Sequence, residues 1–306
     1  MVANSAMELY SPCCQRILSP KRQCSRCLQQ FYEEQGVLIL LEKAKEEQVK
    51  TISLLLQQDQ KLDRPEMRIS HYDSLPFIRE GTAEQKEWRP RQDDFRAIAR
   101  LLKNAPRKRI LEIGPWNSWL THHLVKWGHD VVAIDYFIDE VNGLKNSTRY
   151  REEWLSIQTD IDDLRIFSEN TFDVVIFNNG LPFFRNPPQT FQRVRELTKN
   201  NGIVIALGVS YSSSFKKVNK QFQARLARFF QNNGVEMNIV NQTKGYLSRQ
   251  GVRELQSLGL RLSPYRETRS MLKLVASKFF PFLDIRLRLL GLARITKTMA
   301  KTSPEL

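Results

Sequence analysis

The stretch "RILEIGPWNSWL", Arg109 to Leu120, decides how the rest of the chain is read. Ile110 to Ile113 is a short apolar run with the character of a buried strand, and Gly114 turns the chain sharply after it. A loop built to cradle a pyrophosphate needs G-x-G-x-x-G, so that backbone amides can come close to the phosphates. After Gly114 there is no glycine until Gly128. The stretch is therefore either the first strand of an ordinary α/β core or a site for a cofactor without phosphate.

Outward from that strand the chain alternates. Strand candidates are Ile110–Ile113, Val131–Asp135, Leu155–Gln158, Phe172–Asn178 and Gly202–Leu207, with helical patterns over Trp119–Trp127 and Pro188–Leu197. Apolar strands alternating with helices predict a parallel sheet covered on both faces. "RQDDFRAIARLLKNAP" precedes it as an amphipathic helix. "SRQGVRELQSLGL" follows as another, N-capped by Ser248 and ended by Gly259. "LRLSPYRET" and "RSMLKLVASK" read as a closing pair of strands. In such a sheet ligands sit at the carboxyl ends of the strands. Glu112 and Gly114 occupy that end of the first strand. Asp135 closes the second about 20 residues on, where a carboxylate accepts hydrogen bonds from ribose hydroxyls.

S-adenosylmethionine has no phosphate, and its ammonium, sulfonium and ribose suit an acidic loop. "ILEIGPWNSWLTHHL…GHDVVAIDYF" resembles the first two motifs of class I S-adenosylmethionine-dependent methyltransferases of the type 11 kind. The likeness runs from about Arg91 to Lys278, through "TDIDDL", "FSENTFDVVIFNN" and "VRELTKNNGIVIAL". It implies an α/β, Rossmann-like, mostly parallel seven-stranded sheet with helices on both faces. It also implies cofactor-binding roles. Glu112 and Gly114 match the loop, Asp135 the ribose acid, and Tyr136 the residue against adenine. Asp160 and the Ile161 backbone match the adenine-reading segment, and Asn178 and Asn179 the mouth between donor and acceptor. Trp116 and Ser118 stand where the family carries glycine. Either the Trp116 indole points away and the cofactor binds, or it narrows the pocket.

All four cysteines lie in the first 27 residues, as Cys13, Cys14, Cys24 and Cys27. Clustered cysteines suggest a metal knuckle rather than disulfides. "SPCC…CSRCLQQFYEEQGVLILL" resembles the short zinc ribbon ahead of some methyltransferases, which implies Cys14, Cys24 and Cys27 as ligands. Ser11 stands at the first cysteine position, so the segment is either a zinc site or a metal-free relic. The division expected is a ribbon-like segment over 1–42, a helical linker over 43–90, the methyltransferase domain over 91–278 and a basic tail over 279–306.

The 306 residues are 41% hydrophobic and 26% charged, the balance of a globular protein. With no signal-peptide pattern and no apolar run of about 18 residues, a cytoplasmic location is expected. The net charge is +14. Ten Lys or Arg against Glu267, Asp284 and Glu305 put +7 of it in the last 46 residues. "KFFPFLDIRLRLLGLARITKTMAK" sets Phe282, Ile285, Leu289, Leu292 and Met299 near one helical face, a candidate membrane-surface contact. The reading is a methyltransferase acting on a small-molecule acceptor. An RNA methyltransferase and a catalytically silent binding protein are the rivals. No catalytic base is assigned among His71, His122, His123 and His129, and nothing bears on oligomeric state.

Overall fold

Strand β3, Arg109–Ile113, is buried at every position after its first residue, and its alternate side chains serve two different cores. Ile110 packs with Val131, Val174, Ile176, Ile205 and Leu207 on one face of the sheet. Leu111 and Ile113 pack with Val132, Ile134, Ile157 and Phe177 on the other. A strand apolar on both faces needs cover on both, which is why helices lie above and below it. In this computed structural model the described residues are 7–59, 72–78, 85–140, 142–236, 245–265, 272, 275, 279 and 285–297.

The elements in chain order are β1 (Tyr32–Glu34), β2 (Val37–Leu40), α1 (Lys43–Asp59), α2 (Gln85–Leu102), β3, α3 (Trp119–Lys126), β4 (Asp130–Asp135), β5 (Leu155–Thr159) and β6 (Phe172–Asn178). They continue with α4 (Pro187–Leu197), β7 (Thr198–Ser212), α5 (Phe215–Asn233), α6 (Arg249–Ser257), β8 (Arg261–Pro264) and β9 (Arg286–Arg294). The sheet order is β1-β2-β5-β4-β3-β6-β7-β9-β8. From β2 to β7 every neighbouring pair is parallel, while β1 and β9 are antiparallel to their neighbours. The seven strands β3 to β9 form the expected Rossmann-like sheet. Helices α2 and α3 cover one face through Ile98, Leu102, Leu120 and Leu124. Helices α4 and α6 cover the other through Phe191, Val194, Leu197 and Leu255. Ser248 caps α6 by accepting from the Gly251 N–H at 3.0 Å, as its sequence predicts.

Several expectations are corrected. The ribbon-like segment expected over 1–42 contributes to the main sheet, because its β2 pairs parallel to β5. The amphipathic helix expected near the C-terminus is instead strand β9, inserted between β7 and β8. Leu287, Leu289, Gly291 and Ala293 alternate inward, and both edges of the strand are hydrogen-bonded. In "RLRLLGLAR" a spacing of two and a helical spacing both fit the leucines. Pairing on both sides selects the strand, and glycine suits it at the close crossing of β7, since a Cβ at Gly291 would come 3.0 Å from the Ala206 Cβ. The helical face expected there is not formed by its described members: Leu289 is buried and Ile285 and Leu292 pack against the cores, while Phe282 and Met299 lie outside the described residues. "RSMLKLVASK" lies mostly outside the described residues, and its Leu272 and Val275 are helical, so the partner of β8 is β9. Strand β7 runs five residues beyond its predicted end, through a bulge at Gly208, because it pairs first with β6 and then with β9. Helix α5 was not anticipated. Among the described residues no helix is long and apolar enough to cross a membrane.

Candidate functional site

The carboxyl ends of β3, β4 and β6 meet around one buried carboxyl group. Glu112 is fully buried, accepting from the Thr121 hydroxyl of α3 at 2.6 Å and from the Asn178 amide of β6 at 2.8 Å. Burial pushes this carboxyl up to about 7, and the two donors only partly oppose it. Gly114 turns away at φ +73, its N–H on the Ile134 carbonyl at 2.9 Å. A Cβ there would sit 3.7 Å from the Asn178 carbonyl, so the turn needs glycine for its dihedral rather than for space. Asp135 ends β4, accepts from the Phe137 N–H at 3.2 Å, and is pushed up to about 7 by burial.

The loop holds two non-glycine residues in left-handed backbone. Trp116 and Ser118 adopt φ +55 and +61, the left-handed region that glycine enters freely and other residues at a cost of roughly 1–2 kcal/mol. That cost is offset by what the indole touches. It stacks on Trp88 of α2 with centroids 5.1 Å apart and planes at 19°. Its Nε1 donates to the Asn142 Oδ1 at 2.8 Å, and the Arg91 guanidinium lies 5.7 Å from its ring centre. Trp116 is thus pinned to α2 and to the loop after β4, bridging the ends of β3 and β4. Asn117 Oδ1 and Ser118 Oγ are buried with no hydrogen-bond partner among the described residues. Unpaired polar atoms of this kind are costly, and here they line the turn itself.

The adenine end departs from expectation. Tyr136 is 1% exposed, packed against Leu41, Val49 and Ile52 of the N-terminal segment and α1. Its hydroxyl donates to Asp160, whose carboxylate also lies 3.5 Å from the Lys45 ammonium. The aromatic face expected to lie against adenine is therefore covered by α1. Asp160 also accepts from the Asp162 N–H at 3.1 Å, which shapes the turn carrying Ile161.

Asn179 follows Asn178 at φ +60 and opens a second polar cluster that sequence reasoning missed. Its Oδ1 accepts from Arg91 at 3.0 Å and Arg288 at 2.8 Å, and its Nδ2 donates to Asp94 at 3.2 Å. Asp94, fully buried on α2, also receives the Tyr265 hydroxyl and the Arg288 guanidinium. These partners come from α2, β6, β9 and the residue after β8, too far apart in sequence for any local pattern to join them. The bulge glycine Gly208 makes room, since a Cβ there would fall 1.7 Å from Asn179 Oδ1.

The described histidines serve packing. His122 sits with Nδ1 2.6 Å from Glu152 and Nε2 3.3 Å from Asp73. His123 Nε2 is 2.6 Å from the Leu75 carbonyl, and His129 lies between Lys108 N–H and the Leu102 carbonyl. Burial lowers the pKa of all three. His71 lies outside the described residues.

The four cysteines do converge. The sulfurs of Cys13, Cys14, Cys24 and Cys27 lie within 4.8 Å of one another, against about 3.8 Å between sulfurs around a tetrahedral zinc. Two matching turns bring them there. The Gln15 N–H bonds to the Ser11 carbonyl and the Leu28 N–H to the Cys24 carbonyl, each at 3.0 Å, with Gln15 and Leu28 at positive φ. Ser11 thus occupies the position equivalent to Cys24, and its hydroxyl contacts the Cys24 sulfur at 3.3 Å. Cys13, not among the three ligands expected, supplies the fourth sulfur, 3.4 Å from that of Cys27.

The model of the methyltransferase domain matches residues 84–243, just over half of the chain. The chain belongs to the methyltransferase domain family. Methyl transfer is thus its chemistry, and the donor that the family implies is S-adenosylmethionine. None of the curated proteins matches the chain. Among solved structures, a Pyrococcus horikoshii protein is similar at 16% identity, covering 74% of this chain and 99% of that one with a TM-score of 0.46. An S-adenosylmethionine-dependent methyltransferase from Mesorhizobium loti is similar at 14% identity, covering 66% and 97% with a TM-score of 0.42.

Proposed function

We propose that this methyltransferase uses S-adenosylmethionine to methylate a small-molecule acceptor. The observation that carries the reading is the buried Glu112 between Thr121 and Asn178, at the strand end where the loop keeps a glycine-like path without glycines. Glu112, Gly114, Asp135 and Asn178 would hold the donor, Asp135 by accepting from ribose hydroxyls and Glu112 by opposing the ammonium charge. When bound, the donor supplies an electrophilic methyl on sulfonium, and its transfer is an in-line displacement that rests chiefly on positioning. Asn178 links Glu112 to Asn179, so the donor and acceptor sides share one chain of hydrogen bonds. Trp116, held on Trp88, would shield the bound donor from water. A compact, half-buried acceptor side built from Asn179, Arg91 and Arg288 suits a small acceptor better than a nucleic-acid strand lying across a surface. Calorimetry tests the donor: Asp135→Ala should weaken S-adenosylmethionine by about 1–3 kcal/mol through lost charge-assisted hydrogen bonds. Unchanged affinity would remove Asp135 from the site. Labelled methyl recovered in RNA rather than in metabolites would overturn the acceptor class.

The cysteine cluster is assigned a structural zinc, with Cys13, Cys14, Cys24 and Cys27 as ligands. Four thiols at near-tetrahedral spacing on two matched turns fit that ion. Elemental analysis of protein purified without chelators should find one zinc per chain, and its absence would make the cluster a relic.

A further inference from the structure

Helix α5, "FKKVNKQFQARLARFFQNN", carries Lys216, Lys217, Lys220, Arg225 and Arg228 and no acidic residue. All five cations are exposed; Lys216 and Lys220 lie opposite the buried Val218 and Phe229, Lys217 and Arg228 flank that buried face, and Arg225 lies at its exposed margin. The helix leaves the sheet at the carboxyl end of β7, the end at which Asn178 closes β6.

A second segment emerges at the same place. Arg286, the first residue of β9, pairs with Ser212, the last of β7, and the Ile285 carbonyl accepts from the Ser213 N–H at 3.0 Å. The connection from β8 that ends there carries Leu272, Val275 and Phe279. All three are helical and spaced for one helix face, yet they are 66%, 52% and 70% exposed. Phe183, on the short turn after β6, is 47% exposed at that end of the sheet as well. Large apolar side chains left in water, on a connection that begins and ends at this end of the sheet, mark an interaction surface.

We infer that this end of the molecule docks on an anionic lipid bilayer, with α5 supplying the cationic contact and Leu272, Val275 and Phe279 entering the interface. Charge and apolar surface together choose that occupant. Five cations with no counter-charge among the described residues call for an anionic partner, and exposed leucine, valine and phenylalanine gain nothing from a phosphate backbone but gain directly from the headgroup–acyl boundary. A second copy of the chain would bring the same five cations against each other. Docking here would also turn the acceptor side of the sheet toward the membrane. The inference does not depend on the donor assignment.

Co-sedimentation of the full chain with vesicles of phosphatidylcholine, alone or with about one-third phosphatidylglycerol, tests it. Binding should require the anionic lipid and weaken as salt rises. At about fivefold per cation near the surface, Lys216→Gln, Lys217→Gln and Lys220→Gln together should lower the partition coefficient on the order of a hundredfold. Leu272→Ser with Phe279→Ser should lower it at least about tenfold, with the thermal midpoint checked for both variants. No sedimentation with phosphatidylglycerol vesicles at low salt would overturn the inference, and so would equal binding to neutral vesicles. Retention on a homopolymeric RNA without any vesicle binding would assign the basic helix to RNA instead. The wild-type salt and lipid series decides the matter even where a variant fails to fold.

Discussion

Replacing Glu112 by glutamine should make the protein more stable at alkaline pH and leave it almost unchanged in acid. Burial raises this carboxyl from its ordinary 4.5 to about 7. At about 1.4 kcal/mol per pH unit, that difference is worth about 3 kcal/mol. The sign follows from where the proton sits. Below about 4.5 both folded and unfolded chains are protonated here, and the contribution is fully present. As pH rises, the unfolded chain sheds its proton first, so stability falls until the folded carboxyl ionises near 7 and is then level. Glutamine is neutral throughout. Its Oε1 can accept from Asn178, and its Nε2 can donate to a rotated Thr121 hydroxyl, so the hydrogen bonds survive. Urea unfolding of wild type and Glu112→Gln should therefore differ by less than about 1 kcal/mol at pH 5 and by about 3 kcal/mol at pH 8, the variant being the more stable. Asp135 also titrates in this range, but it is common to both proteins and cancels in the difference. A constant difference across the range, or a variant less stable at pH 8, would show that Glu112 is not carried as a buried carboxyl whose affinity for a proton is raised.

Trp116→Gly relieves a left-handed residue but loses the Trp88 stack and the Asn142 hydrogen bond, so thermal unfolding should show a net loss of about 1–2 kcal/mol. Donor affinity by calorimetry should stay equal or rise modestly; a wild type that fails to bind and a variant that does would make the indole a plug. Gly208→Ala drives a Cβ into Asn179 at a left-handed position and should cost at least about 2 kcal/mol. An unchanged unfolding midpoint would mean that Asn179 swings freely and is not clamped by Asp94 and Arg288. Cys13→Ser should release zinc as fully as Cys24→Ser in elemental analysis, and full retention would place the fourth ligand elsewhere.

The strands around Glu112 were legible because each is a short apolar run closed by a polar residue at its carboxyl end, and Ser248 and Gly259 mark α6 by cap chemistry alone. Glu112, Gly114, Asp135 and Asn178 do meet at one place in the fold. What the sequence hid depends on distant partners. The β9 segment satisfies two periodicities, and only pairing on both sides selects the strand. Tyr136 lost its expected exposure to α1, which lies almost a hundred residues earlier. Nothing local to Asp94 announces that Tyr265 and Arg288 will close on it. The left-handed conformations of Trp116 and Ser118 run against residue preference, and the Trp88 stack that offsets them belongs to another helix. Cys13 enters the cluster through turn geometry, where regular cysteine spacing would have named residue 11.

Strand β2 has one further consequence. Every residue of "VLIL" is buried, and the strand is hydrogen-bonded to β1 on one side and β5 on the other. Cutting the chain to the core between residues 91 and 278 would leave β5 as a raw edge, with free backbone donors and acceptors beside apolar Leu155 and Ile157. Such an edge is a template for pairing with other chains. The same cut removes β9 and opens β7 in the same way. A fragment trimmed to the nucleotide-fold boundaries would be expected to precipitate as laterally paired chains. A unit that keeps its β5 side closed must retain β1 and β2, which act as a selvedge that keeps the sheet from unravelling into its neighbours.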